Sequence, residues 1–293
     1  MSSRDGFKRF TVLSLGCGVQ SSTLALMLAQ GMFPKYNVKA AIFADTQAEP
    51  MSVYRFLDYL QGVIALSPKP FPIIKTTRGS LSEESLVIRK SKKTGAIYLR
   101  TLIPMINKQT DGTKRMLIRK CTTDHKIIPI QREIRHLIGK EELNRWRREF
   151  RRNDQIRPLV RQLIGISYDE FQRMRQSRDH HVVNSYPLVD LKITRQDCLD
   201  WMKEHNYSKP PRSACRFCPF RSDKEWRELR DEEPEEFQKA IAWERHMQKL
   251  QDIDGRLDGN IYIHNSGVSL GEVNFGESSE SGFDGECTGL CGA

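Results

Sequence analysis

The stretch FTVLSLGCGVQSS, residues 10–22, joins a run of apolar residues to a turn rich in glycine and serine. Residues 10–15 have the character of a short buried strand. The following LALMLAQG, residues 24–31, has helical apolar spacing and ends at a glycine. A strand, a glycine-bearing loop and a helix together suit phosphate, because backbone N–H groups and the positive end of the helix dipole face the anion. The spacing matches neither a Walker A loop nor a GxGxxG loop.

Further strand and helix patterns follow this stretch in alternation, which favours a parallel sheet with right-handed crossovers. The sequence therefore predicts an α/β fold with a parallel twisted sheet and helices on both faces. We expect a nucleotide-binding domain over residues 8–200. A helical region with a CxxC pair and a cysteine-containing tail, residues 201–293, is expected to pack on it. The predicted segments are strands at 38–44, 72–75 and 159–166, and helices at 51–60, near 129–139, at 193–207 and from about 223 to 250.

The composition is that of a globular protein: 38% of the 293 residues are hydrophobic and 29% are charged. No apolar run approaches the roughly 18 residues of a membrane span, and the first ten residues lack an apolar signal core. We therefore expect a cytoplasmic protein with no membrane segment. The net charge of +10 favours an anionic partner, such as a nucleotide, RNA or DNA.

Several motifs in order resemble the PP-loop enzymes of the adenine nucleotide α-hydrolase-like fold, in particular the phosphoadenosine-phosphosulfate (PAPS) reductase-like family. Residues 13–22 resemble the family's Ser-Gly-Gly-x-Asp-Ser-Ser loop, FADT at 43–46 its Asp-Thr-Gly element, and CTTDHKIIP at 121–129 its Cys-x-x-x-x-Lys-x-x-Pro stretch. GISYDE at 165–170 resembles a segment after a later strand. The resemblance implies that ATP or another adenine nucleotide is bound by Ser14, Gly16, Gly18, Gln20, Ser21, Ser22, Asp45, Gly165, Asp169 and Arg173.

The loop departs from that pattern at Gly16, which stands where the family has its first serine, and at Gln20. Gln20 stands where the ATP-cleaving members carry an aspartate, which helps to hold Mg²⁺ beside the phosphates. The departure weakens the implication that this chain cleaves ATP with bound magnesium. A plain strand-to-helix turn with small residues is the alternative interpretation of the loop.

Three cysteines have the order of metal or cluster ligands. Cys215 and Cys218 form a CxxC beside a Pro-Pro break, and Cys121 opens the Lys-x-x-Pro stretch. The family resemblance implies a 4Fe-4S cluster, although the spacing alone leaves a zinc ion equally open. The relatives carry two adjacent cysteines at the first position, whereas here Thr122 follows. The fourth ligand is then either absent, leaving an open iron, or supplied by Cys291 in the tail.

The tail segment ECTGL, residues 286–290, resembles the Glu-Cys-Gly-Leu-His tail of the reductases, whose cysteine attacks the sulfur of the substrate. By this resemblance Cys287 is the candidate catalytic thiol. Cys17 and Cys198 have the surroundings of small packing residues.

A stretch rich in arginine, residues 145–161, includes Trp146 and Phe150. Arginines and aromatic rings together suit the phosphates and bases of a nucleic acid, and the candidates for that contact are Arg147, Arg148, Arg151 and Arg152. A solvated helix face is the plainer interpretation of such a charge run.

These features support three hypotheses. The first is ATP-dependent thiolation of tRNA or DNA, with sulfur supplied by a donor such as a cysteine desulfurase. The second is reduction of PAPS or adenosine phosphosulfate to sulfite with a thioredoxin-like partner. The third is a nucleic-acid-binding module that has kept the fold without its chemistry.

Overall fold

The computed structural model describes residues 6–153, 155–254 and 257–276. Its helices and strands are, in chain order, β1 (Phe10–Leu15), α1 (Val19–Ala29), β2 (Val38–Asp45), α2 (Met51–Ala65), β3 (Ile73–Thr77), α3 (Leu81–Ser85), β4 (Ile88–Lys90), β5 (Ile97–Leu99), β6 (Ile106–Lys108), β7 (Lys114–Met116), α4 (Ile128–Ile138), α5 (Lys140–Arg152), β8 (Val160–Ile164), β9 (Val182–Ser185), α6 (Pro187–Asp190), α7 (Arg195–Glu204), α8 (Asp223–Glu232), α9 (Pro234–Asp254) and β10 (Asn260–Tyr262).

A five-stranded sheet in the order β3-β2-β1-β8-β9 forms the centre of the fold, and all its neighbouring strands are parallel. The predicted α/β class is therefore confirmed. The chain runs outward from β1 to β3 on one side and continues through β8 and β9 on the other. In such sheets the ligand crevice lies beyond the carboxyl ends of the strands, where the order reverses. The turn after β1 lies at this switch point.

Helices cover both faces of the sheet, as predicted. On one face Leu13 and Leu15 pack in a core with α1, α2 and α7. On the other face Val12 packs in a core with α4 and α5. The alternation follows from the two-residue period of side chains along a strand, which here is buried on both sides.

The segment between β3 and α4 builds a third core together with the C-terminal helices. Leu81, Leu99 and Leu102 pack there with Trp226 and Phe237 of α8 and α9. Strand β10 joins β6 and β7 in a small antiparallel sheet, which ties the same two parts of the chain together. The division into residues 8–200 and 201–293 stays a prediction.

Two helix boundaries are informative. The single helix expected from about residue 223 to 250 is wrong: α8 ends at Glu232 and α9 begins at Pro234. A proline lacks the N–H for the preceding turn but is favoured at the first turn of a helix, so it separates the two. Helix α4 begins at Ile128, next to Pro129 as expected, after one wide π-helical turn over Thr123–Ile127. None of the described helices is long and apolar enough to cross a membrane.

Candidate nucleotide and cysteine site

The turn after β1 presents the uncapped start of helix α1. Gly18 is its N-cap in an extended conformation and, as a glycine, provides no side-chain cap. Inside the turn, the Gly16 N–H donates to Ser21 Oγ at 3.2 Å, and the Ser21 hydroxyl lies 3.3 Å from the Gly18 carbonyl oxygen. The first N–H groups of a helix have no partner within it, so this N-terminus is suited to an anion.

The segment after β8 packs directly on the first turn of α1. A Cβ at Gly165 would lie 2.6 Å from the Cα of Ser21, closer than side chains tolerate, so glycine is required there. The buried Gln20 amide donates to Glu170 Oε2 at 3.1 Å and lies 3.4 Å from Ser167 Oγ. Gly165 and Gln20, far apart in sequence, are thus brought together.

The remaining predicted nucleotide ligands differ in where they lie and in what they contact. Arg173 pairs with Glu170, whereas the exposed Asp169 accepts a bond at 3.0 Å from the backbone N–H at the start of α7. Ser14 Oγ lies inside the sheet and accepts from the Gln162 amide at 2.6 Å. Asp45 accepts from the Tyr54 hydroxyl at 2.8 Å, and Ser22 is buried with no hydrogen-bond partner for its Oγ among the described residues.

A cavity of about 310 Å³ lies against the start of α1. It is lined by residues 18–20, by the basic Arg195, Lys209, Arg212 and Lys224, and by the acidic Glu225 and Glu228. The Arg212 guanidinium is 3.2 Å from the Glu225 carboxylate. The volume falls within the range of small-molecule sites, and the positive lining suits a phosphorylated ligand.

The three predicted cluster cysteines line a second, smaller cavity. Cys121, Cys215 and Cys218 surround about 30 Å³ together with Thr122 and Lys126. The first is 94 residues from the second in sequence, yet the fold brings both to the same cavity. Cys121 and the pair of Cys215 and Cys218 do not lie on opposite sides of the molecule, an arrangement that would have removed the basis for a shared site.

A buried carboxylate that sequence reasoning missed lies beside this cavity. Glu49 is 1% exposed; its Oε1 is 3.4 Å from Lys126 Nζ and 3.7 Å from the sulfur of Cys215. Thr46 Oγ1 is 3.4 Å from the same sulfur. Burial, followed by the charge of Glu49, raises the pKa of Cys215, while Lys126 and Thr46 act in the opposite direction. The available signal was an acidic residue placed between Ala48 and Pro50, just after a buried strand.

The CxxC segment connects the two cavities. The Ser213 hydroxyl donates to the Gly16 carbonyl oxygen in the turn, and Cys215 lies two residues further along. Two residues span at most about 7 Å of chain. The cavity lined by the three cysteines (the thiol cavity) and the turn after β1 (the phosphate turn, after its expected ligand) are therefore neighbours. Arg216 and Arg221 fix this segment: the first donates to the Glu49 carbonyl oxygen at 3.2 Å, and the second to the Ala214 carbonyl oxygen at 2.7 Å.

The arginines of α5 lie at the other end of the sheet. Trp146 packs against His181, which directly precedes β9. Its indole N–H donates to the carbonyl oxygen of Arg157, shortly before β8. Arg145 of the same helix donates to the Gly6 carbonyl oxygen, ahead of β1. These contacts place α5 at the amino-terminal edge, away from both cavities. The four candidate side chains, Arg147, Arg148, Arg151 and Arg152, are exposed there.

The other cysteines divide into two groups. Cys17 and Cys198 are fully buried in the core, as predicted for packing residues; burial raises the pKa of Cys17 strongly and that of Cys198 to about 12. Cys287 and Cys291 lie outside the described residues, so their predicted roles as reactive thiol and fourth ligand stay predictions.

No three His, Cys, Asp or Glu side chains within residues 6–153, 155–254 and 257–276 are arranged to hold a single metal ion. The three thiols line a cavity without converging on one point. Zinc needs all of its ligands about 2.3 Å or less from one centre. In a 4Fe-4S cluster each cysteine binds a different iron, so its ligands are spread around the cluster. Thiolates are the usual ligands of iron–sulfur clusters, so the donor set of Cys121, Cys215 and Cys218 suits a cluster by its chemistry.

Comparison with known proteins finds likeness among solved structures. No model of a known protein family matches the chain, and no curated protein sequence does. Among solved structures, it is similar to the U34-tRNA thiolase NcsA from Methanococcus maripaludis with its 4Fe-4S cluster. That likeness has a TM-score of 0.35 and 15% sequence identity, and it covers 84% of this chain and 75% of that one. Because this TM-score is low, the α/β assignment rests on the strands and helices themselves.

Proposed function

We propose that this protein is a PP-loop enzyme that binds an adenine nucleotide at the start of α1 and transfers sulfur to a nucleic acid. The observation that carries the proposal is the path of the CxxC segment. Ser213 contacts the phosphate turn, and Cys215, two residues later, lines the thiol cavity. A nucleotide-activated acceptor and a sulfur-handling centre must be adjacent for such a transfer, because the reacting atoms have to meet.

In this proposal the residues of each cavity have separate tasks. The N–H groups of residues 19–21 hold phosphate oxygens, and Lys209 and Lys224 offset their charge. Cys121, Cys215 and Cys218 would hold the iron–sulfur cluster, with one iron left for Cys291 or for an added sulfide. The cluster would supply a site that binds and delivers sulfur. Its binding requires the side chains around the small cavity to move outward.

The cluster is tested by metal analysis of the full chain purified without oxygen. We expect iron and acid-labile sulfide, and we expect Cys215→Ala to lose both. Cys198→Ala is the control, because it removes a thiol of α7 that is buried in the core and does not line the thiol cavity. Stoichiometric zinc without sulfide would refute the cluster. Equal loss of iron and sulfide in both variants would show that the loss comes from a cavity left in the protein and not from a missing ligand.

A second candidate, sulfonucleotide reduction, is favoured by the environment of Gln20. Its amide donates to the Glu170 carboxylate, so position 20 offers no acidic group for the Mg²⁺ that accompanies ATP cleavage. In this reaction the Cys287 thiolate would attack the sulfur of the sulfonucleotide and release the nucleotide, leaving an enzyme S-sulfonate. A dithiol donor would then be oxidised as sulfite departs.

Turnover assays separate the alternatives. The chain would be incubated with ATP, Mg²⁺, a sulfur donor and tRNA or DNA, and in parallel with each sulfonucleotide and thioredoxin. Sulfur incorporation into nucleic acid that depends on ATP supports the first proposal, whereas sulfite release supports the second. Nucleic-acid binding with neither reaction would identify a binding module.

A further inference from the structure

One segment carries a net positive charge nearly equal to that of the whole chain. Residues 85–123 hold ten lysines and arginines and a single acidic residue, Asp111, whereas the whole chain carries a net charge of +10. The remaining residues are thus close to neutral in sum. A charge concentrated in this way produces a local field that attracts a polyanion.

The densest part of this segment is the hairpin formed by β4 and β5. Lys90, Lys92 and Lys93 are exposed and form no ion pair within the described part of the chain, whereas Arg89 lies 3.4 Å from Glu84. The basic side chains and Tyr98 border a shallow concavity of about 880 Å³. Charges without an internal partner remain available to phosphate groups of a bound strand.

Apolar side chains are exposed among these charges. Ile97 in the hairpin is 52% exposed, and Val87, Met116 and Ile118 are 45%, 40% and 71% exposed. A purely solvated charged face does not need such side chains. Single-stranded nucleic acids offer both phosphates for the lysines and base faces for apolar and aromatic side chains.

The segment also leads to the thiol cavity. Arg119 and Cys121 at its end both line that cavity, and the backbone N–H groups of Lys120 and Cys121 donate to the Leu102 carbonyl oxygen. The carboxyl-terminal end of the segment therefore lies at the cysteines. Helix α5, in contrast, lies at the far edge of the sheet.

We propose that the basic segment, residues 85–123 with the β4–β5 hairpin as its main contact, is the nucleic-acid-binding surface, and that the arginines of α5 are not. The phosphodiester backbone is the recognised chemistry, shared by RNA and DNA. The inference deepens the proposed function and rests on it for the link between binding and sulfur transfer. The binding itself can be tested separately.

The test compares two variants of the full chain that each lose three charges. One is Lys90→Ala/Lys92→Ala/Lys93→Ala, and the other is Arg147→Ala/Arg148→Ala/Arg151→Ala. Fluorescent single-stranded RNA, single-stranded DNA and duplex DNA of one sequence are titrated by anisotropy between 50 and 200 mM salt. Melting temperature, iron content and nucleotide binding of each variant report on folding and on the proposed catalytic site.

Each phosphate contact adds about 0.7–0.9 to the slope of log affinity against log salt. Removing three contacts should therefore lower this slope for the hairpin variant. Between 50 and 200 mM salt, the fall in its affinity should be about 20- to 40-fold smaller than the fall for the unaltered chain. The α5 variant should retain the original slope. The nucleic acid that binds most tightly shows whether the recognised phosphodiester backbone is that of single-stranded RNA, single-stranded DNA or duplex DNA.

The opposite pattern, or equal losses in both variants, would overturn the inference, as would binding that does not depend on salt. Stronger binding to anionic vesicles than to any nucleic acid would also overturn it. Hairpin-dependent binding by a chain with no iron and no nucleotide affinity would instead refute the proposed function while the binding surface stands.

Discussion

Replacing Gly165 by alanine should disturb the phosphate turn directly. The added Cβ would lie 2.6 Å from the Cα and 2.7 Å from the backbone N of Ser21, and 3.0 Å from the carbonyl carbon of Gln20. Ordinary contact begins near 3.4 Å, so the two backbones must separate by roughly 0.8 Å. Neither side can rotate away, since both are main chain. The start of α1 is the part that must shift.

Overpacking of this size costs about 1–3 kcal/mol, which for a chain of this length lowers the melting temperature by about 2–6 °C. A charge-assisted hydrogen bond is worth about 1.5–3 kcal/mol, so loss of one displaced N–H should weaken ATP binding at least roughly tenfold. Calorimetric melting and titration with ATP measure the two effects.

Gly62 provides the matched control. It lies within α2, and a Cβ there meets nothing within 4 Å. Gly62→Ala should therefore leave ATP binding unchanged and stabilise the helix by about 0.5–1 kcal/mol. If Gly165→Ala melted and bound ATP like the unaltered chain, the close approach of the two segments, and its role in shaping the phosphate site, would be disproved.

Three further predictions concern buried polar groups. Ser14→Ala leaves the Gln162 amide without its acceptor, and urea unfolding should show a loss of about 1–3 kcal/mol; an unchanged midpoint would contradict this. Burial raises the pKa of Glu244, so the unaltered chain should lose stability as pH rises above 4.5 through that raised value, and Glu244→Gln should flatten this decline in pH-dependent melting. Burial lowers the pKa of His264, so the contribution of this side chain to stability is complete above pH 6.5 and declines as pH falls. His264→Gln should therefore make the free energy of unfolding fall less steeply as the solution becomes more acidic. Parallel pH profiles of a variant and the unaltered chain would contradict the corresponding assignment.

Local patterns predicted the centre of the fold well. The strand, glycine turn and helix over residues 10–31 depend on neighbouring residues, so sequence periodicity identifies them. The contacts that complete the site are between distant residues. Gly165 meets Ser21 because β8 lies next to β1, and Glu49 meets Lys126 because the turn at Thr123–Ile127 packs against β2. No local pattern specifies either neighbour relation.

The break between α8 and α9 was visible in the sequence, because Glu233-Pro234 interrupts the helical pattern. The arginine stretch is a different case. Its sequence correctly indicates an exposed charged helix, but periodicity cannot say at which end of the sheet that helix lies. The edge depends on how α5 packs through Trp146 on the strand starts.

The position of the CxxC segment also implies that the two cavities influence each other. Ser213 bonds to the phosphate turn, and Cys215 contacts Thr46, which directly follows β2. Arg216 ties the same segment to the turn at Glu49 and to Glu236 in α9, 3.1 Å away. A ligand that shifts the start of α1 must therefore either break the Ser213 bond or move the chain that carries two of the three thiols. Since the segment is held at both ends, the proposed binding of a nucleotide and the proposed binding of a cluster should be coupled in free energy, and by linkage each should change the affinity for the other by the same factor.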